Sequence, residues 1–147
     1  MFFLFLGARE LFDSPELERL AHALHIVQLR YPTLTLGQLS TLLRVGMAPQ
    51  TQGQHVSVSD IVARSPGQKY PTIARQIEPL GDGTTRNPGL ELLEKEEDPN
   101  DRRARWVAIS EKGKMLLYEL DLILAPDIVG SIGKDRAEPG GLSRNDV

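Results

Sequence analysis

A mainly helical domain carrying a small β-hairpin is what this sequence predicts, and three observations predict it. Apolar residues recur at helical spacing in several separate segments, most of them opened by a capping residue. The stretch Glu94 to Gly113 breaks that rhythm. It holds the turn Asp98-Pro99-Asn100-Asp101, followed by the strand-forming run Arg105-Trp106-Val107-Ala108-Ile109. Just upstream, two short helical stretches are separated by Ser65-Pro66-Gly67, the layout of a helix-turn-helix. Helices, then a helix-turn-helix, then a hairpin wing and a closing helix amount to a winged helix-turn-helix.

The elements follow in order. Met1 to Leu6 is apolar, too short to span a bilayer, and without the basic start and longer apolar run of a signal peptide. Residues 1–13 are therefore expected to form an arm that is buried or faces a partner. Ser14-Pro15-Glu16 is a helix start, and Leu17, Leu20, Ala21, Leu24 and Val27 follow as a stripe that Tyr31-Pro32 closes. Thr35 and Gln38 fit a capping box for a second helix with Leu36, Leu39, Leu42 and Leu43, stopping near Gly46. His55-Val56 suits a short strand. Ser57 caps a third helix over Val58 to Arg64 that buries Ile61 and Val62.

A fourth helix spans about 70–80, with Pro71 in its first turn and Ile73, Ile77 and Leu80 on its inner face. Residues 81–89, GDGTTRNPG, are a loop by composition. The wing covers about 90–109, its first strand over Leu90 to Lys95 and its second over Arg105 to Ile109. Ser110 then caps a last helix whose Met115, Leu116, Leu117, Tyr118, Leu120, Leu122, Ile123 and Leu124 make it apolar nearly all round. Such a helix in so small a domain calls for a second covering surface, naturally a partner subunit. Pro126 ends it. The domain is expected over 14–125, with a tail over 126–147 whose Gly, Pro and Ser content folds poorly alone.

This layout nominates residues for contact with double-stranded DNA. In a helix-turn-helix the second helix enters the major groove, and its N-terminal residues reach base edges. That singles out Gln68, Lys69, Tyr70, Thr72, Arg75 and Gln76. Arginine can pair with guanine and glutamine with adenine, so Arg75 and Gln76 are the base readers, with Lys69 and Thr72 on the backbone. Arg102, Arg103 and Arg105 crowd past the hairpin turn, where a basic ribbon can press on phosphates or enter a minor groove. The acids Glu94, Glu96, Glu97 and Asp98 oppose that docking and protect a strand edge. Trp106 is expected in the core rather than stacked on a base.

Composition limits the alternatives. With no cysteine, disulfides, thiol nucleophiles and cysteine metal sites are excluded, and a reducing compartment fits. A net charge of −3 argues against indiscriminate coating of nucleic acid and leaves room for a local basic face. His22 and His25 sit three apart on a helix, but only Glu18 stands near them, too few ligands for a metal. None of the common catalytic motifs is present. No catalytic residue, cofactor or metal is therefore expected, and no enzyme activity.

The wing and the helix after it resemble the MarR-type regulators. The family's pattern of Asp, a basic residue, Asp, Arg and an apolar strand ending Leu-Thr-x-x-Gly reads here as Asp98, Asn100, Asp101, Arg103, Val107, Ile109-Ser110 and Gly113. Leu34 to Ser40, LTLGQLS, resembles the start of that family's second helix. The resemblance runs from Leu17 to Leu124. Asn100 stands where the family has the minor-groove arginine, which passes that role to Arg102 or Arg103, and residues 82–88 look like an insertion. The resemblance implies a cytoplasmic, nucleoid-associated transcriptional regulator acting as a homodimer, with Leu17, Leu20, Leu24, Leu116, Leu120 and Ile123 at the subunit interface. The family's ligand cleft lies near that interface. The competing expectation is a winged helix used for protein contact, on RNA polymerase or a replication protein.

Overall fold

Ser14 begins the first helix by accepting a hydrogen bond from the Leu17 amide at 3.3 Å while its hydroxyl donates to Glu16 at 3.1 Å. Glu16's carboxyl is lowered below its ordinary pKa by its backbone hydrogen bond and then by this hydroxyl. The computed structural model describes residues 11–49, 55–98 and 100–126, giving the backbone alone at Asp98 and 101–104. The apolar arm Met1–Leu6, Pro99 of the wing turn, nearly all of the C-terminal tail and the side chains of Arg102 and Arg103 lie outside the described residues.

The order is α1 (Pro15–Arg30), α2 (Leu36–Met47), β1 (Val56–Ser57), α3 (Val58–Ala63), α4 (Tyr70–Leu80), β2 (Leu93–Asp98), β3 (Asp101–Ile109) and α5 (Glu111–Leu124). The strands form one antiparallel sheet in the order β1-β3-β2. This is a winged helix-turn-helix, as the helical spacing and the hairpin predict.

One hydrophobic cluster joins the helices to the sheet. Leu42 of α2, Ile61 of α3, Ile73 and Leu80 of α4, Leu92, Val107 of β3 and Leu116 of α5 are all at most 1% exposed within it. Burying a side chain of this size contributes roughly 1.5–3 kcal/mol, so these positions dominate the fold's stability. The capping box of α2 forms as its sequence requires, with Thr35 N to Gln38 Oε1 at 3.0 Å and Gln38 N to Thr35 Oγ1 at 3.2 Å. That helix runs past Gly46 to Met47, because Gly46 continues the turn and leaves room for Leu117 of α5. Helix α1 packs on α5, and Arg30 and Glu119 close the pair with a two-pronged ion pair.

The wing strands run closer to the turn than expected, the first ending at Asp98 rather than Lys95 and the second starting at Asp101 rather than Arg105, and two further expectations are corrected. The first wing strand starts at Leu93 rather than Leu90. Residues 90–92 are instead tied back to the end of α4, through Leu90 N to Pro79 O at 2.8 Å, Glu91 N to Gly81 O at 3.1 Å and Leu92 N to Leu80 O at 2.8 Å. Glu91 takes a positive φ of 57° to make that turn. The second correction concerns the subunit face. Leu116 and Leu120 are 1% and 5% exposed in the core of the single chain, and Ile123 packs against it. Leu17, Leu20 and Leu24 are 50%, 45% and 36% exposed, as are Met115, Tyr118 and Leu122 of α5 at 71%, 70% and 79%. The unpartnered surface of α5 is thus the face opposite the one expected, since α1 and α2 take up Leu116 and Leu120.

Candidate nucleic-acid interface

The turn between α3 and α4 is built from Ser65-Pro66-Gly67-Gln68. Gln68 N donates to Ser65 O at 3.0 Å, Gly67 has φ +73°, and Pro66 precedes it, which is type II turn chemistry. The Ser65 hydroxyl donates to Ile61 O at 2.6 Å and seals the last turn of α3. The backbone that leads into α4 is therefore fixed from the end of α3 to Gln68.

Helix α4 buries Ile73, Ile77 and Leu80 and turns Pro71, Thr72, Arg75 and Glu78 outward. Gln68 and Lys69 are exposed before it, and Tyr70 is 41% exposed at its first position. Lys69 is the N-cap and supplies no side-chain cap. Among the described residues no hydrogen bond or ion pair engages the side chain of Thr72 or Arg75. Pro79 has no N–H, so the Arg75 carbonyl loses its usual helical donor near the surface.

Gln76 behaves differently from the other nominated residues. It is half-buried, and its Oε1 accepts a hydrogen bond from the hydroxyl of Thr41, itself 1% exposed on α2. A Cβ at Gly37 would lie 2.7 Å from Gln76 Nε2, so that glycine makes room for the amide. The expected base reader is held against α2, and Thr41 is the residue that sequence reasoning missed. Thr41 lay among leucines of the α2 stripe, and its one distinguishing signal was a hydroxyl on an otherwise apolar face.

On the wing, β2 and β3 pair with Lys95 opposite Val107, Glu96 opposite Trp106 and Glu97 opposite Arg105, and a register shift follows at Glu97/Asp98. Arg105 is exposed and stands across from an acid. Trp106 is half-buried, outside the core cluster in which it was expected, and lines a small crevice with Val58, Ala74, Ile77 and Lys95. His55 Nε2 lies 3.1 Å from Glu96 Oε2, linking the segment before α3 to the wing.

The loop after α4 is tightly bonded. Gly83 and Pro88 form a bridge, Thr84 N donates to Asn87 O at 2.8 Å, and Gly89 N donates to Asp82 O at 2.9 Å. Gly83 needs its φ of 72°, and any Cβ there would strike the backbone of Asn87 to Gly89. A separate concavity of about 390 Å³ lies between α2 and α5, lined by Leu43, Gly46, Met47, Ile109, Lys114, Leu117, Tyr118, Leu120 and Asp121. No residue of α4 lines it. Among the described residues no group of three or more His, Asp or Glu is placed to hold a metal ion, and no helix is long and apolar enough to cross a membrane.

No family model matches the chain, and no curated protein matches it at a significant level. Solved structures do match. A point variant of MepR from S. aureus, bound to an oligodeoxyribonucleotide, superposes with a TM-score of 0.55 at 20% identity, over 83% of this chain and 78% of that one. RV1404 from Mycobacterium tuberculosis matches with a TM-score of 0.54 at 18% identity, over 84% and 76% of the two chains. A point variant of MarR from E. coli matches with a TM-score of 0.50 at 12% identity, over 82% and 78%. The chain has the winged helix-turn-helix fold of MarR-type regulators.

Proposed function

We propose that this chain, built on the fold of MarR-type regulators, is a sequence-specific double-stranded DNA-binding transcriptional regulator that acts as a homodimer in the cytoplasm. The observation that carries the reading is the outer face of α4. Its N-terminal half presents Lys69, Thr72 and Arg75 with no partner for Thr72 or Arg75 among the described residues, on a fold that MepR from S. aureus uses in complex with DNA. A helix offered in this way fits the major groove, its first turns toward the bases. Arg75 is the base reader, because its fork matches the two acceptors of guanine. Lys69 and Thr72 take backbone phosphates. The wing strand β3, which carries Arg102, Arg103 and Arg105, lies along the adjacent backbone or minor groove. The exposed leucines Leu17, Leu20 and Leu24 supply a face for the second subunit.

The test is binding of a pool of labelled duplexes at several salt concentrations, with wild type and Arg75→Ala side by side. Wild type is expected to select some duplexes, with affinity falling log-linearly as salt rises. Arg75→Ala is expected to lose about 1–3 kcal/mol on the selected duplexes and to flatten the preference among them. Equal losses on every duplex would remove Arg75 from base reading. No duplex binding by wild type at low salt would end the proposal.

A further inference from the structure

Two arginines that the interface above does not use converge beside the helix-turn-helix. Arg44, in the last turn of α2, donates through Nη1 to the backbone carbonyl of Arg64, the C-cap of α3. The two residues, with Met47 and Ala48, line a concavity of about 260 Å³. Two cationic residues lining one hollow favour an anion there. Among the described residues neither arginine has a carboxylate partner. The sequence from Arg44 to Ser59 contains no acid at all. The nearest acid on the same helix, Asp60, sits in the first turn of α3, where the positive helix end favours it, and it makes no ion pair with Arg64.

We propose that Arg44 and Arg64 form a seat for one phosphate group. Arg44 is half-buried, its fork fixed at one end by the Arg64 carbonyl, which leaves its remaining N–H groups to donate to an anion. Arg64 is exposed and lines the same hollow. The Ser65–Gln68 hydrogen bond closes a tight turn, with Arg64 at one end of it and Lys69 at the other. The seat thus continues the basic edge that begins at the start of α4. Resting on the DNA-binding reading above, the phosphate is one of the duplex backbone, which would fix the depth and angle at which α4 enters the groove. A free phosphate anion has the same chemistry and is separated by the test.

The test uses the full chain, with Arg64→Gln, Arg44→Gln and the conservative Arg64→Lys. Duplex binding is read as the slope of log affinity against log salt, and inorganic phosphate at constant ionic strength is followed through the arginine side-chain N–H signals by NMR. Backbone seating predicts that Arg64→Gln weakens every duplex alike and lowers the slope by about 0.9, the value for one phosphate. The loss relative to wild type then shrinks about 3.5-fold between 50 and 200 mM salt. Arg64→Lys should restore most of the slope. Loss of the α3 carbonyl bond alone would not move the slope, so Arg44→Gln separates the seat from a purely structural contact.

If duplex affinity and slope are unchanged while inorganic phosphate shifts the Arg44 and Arg64 signals saturably, the seat stands and its source is free phosphate. If wild type binds no duplex but phosphate still shifts those signals, the DNA reading fails and the seat survives. Unchanged slopes together with no phosphate response overturn the seat.

Discussion

At Gln76 a side chain that sequence nominates for reading bases is engaged by the fold. The Thr41 hydroxyl donates to it in a half-buried setting, and Gly37 leaves the space its amide occupies. Removing one partner of such a bond leaves the other desolvated and unpaired, which costs about 1–3 kcal/mol. Thr41→Val should therefore lose that much stability in urea unfolding, and the double variant Thr41→Val/Gln76→Leu should regain part of it. A loss within about 0.5 kcal/mol, the range of surface substitutions, would mean that the bond carries no weight. The exposure of Thr72 and Arg75 was legible because the spacing of Ile73, Ile77 and Leu80 turns them outward, whereas Gln68 and Lys69 precede the helix and Tyr70 shares the spacing of the buried residues. Gln76 was not legible, because its partner comes from another helix 35 residues away in the chain.

Among the elements, α5 shows most clearly how one residue joins two parts of the fold. Ser110 accepts from the Gly113 amide at 3.0 Å as an N-cap, donates its own hydroxyl proton to Glu91 O at 2.6 Å, and gives its backbone N–H to Leu92 O at 3.1 Å. Gly113 has no room for a Cβ because Leu92 O lies against it. Ser14 caps α1 through a longer bond at an exposed end. Ser110→Ala is therefore expected to lower stability by about 1–2 kcal/mol and Ser14→Ala by about 0.5 kcal/mol, the two ends of the range for helix caps. Similar thermal shifts for both would contradict this ranking. Every helix start was legible in the sequence, since caps and prolines act on their own neighbours. The start of β2 was not, because residues 90–92 bond to α4 across the loop, an attachment that strand propensity does not encode.

The exposed apolar surface of the whole molecule is arranged asymmetrically. Leu17, Leu20 and Leu24 on α1 stand out of the core, as do Met115, Tyr118 and Leu122 on α5, although the two helices pack together and are clamped by Arg30 and Glu119. Apolar groups left exposed on both helices are a candidate subunit surface. The full chain is expected to sediment as a dimer, and Leu20→Lys/Leu24→Lys as a folded monomer with much weaker duplex binding. A wild-type chain that remains monomeric at every concentration tested would remove the dimer from the proposal. The order of elements was legible because each helix and the hairpin announce themselves locally. The orientation of α5 was not, because a helix apolar nearly all round does not say which side its own chain will claim. Position 76 is anchored to a neighbouring helix, whereas Thr72 and Arg75 support nothing else among the described residues. Substitutions at such sites usually alter stability by no more than about 0.5 kcal/mol. On the proposed reading, a lineage of these chains can drift from one target to another through position 75 while inheriting the same folded scaffold intact.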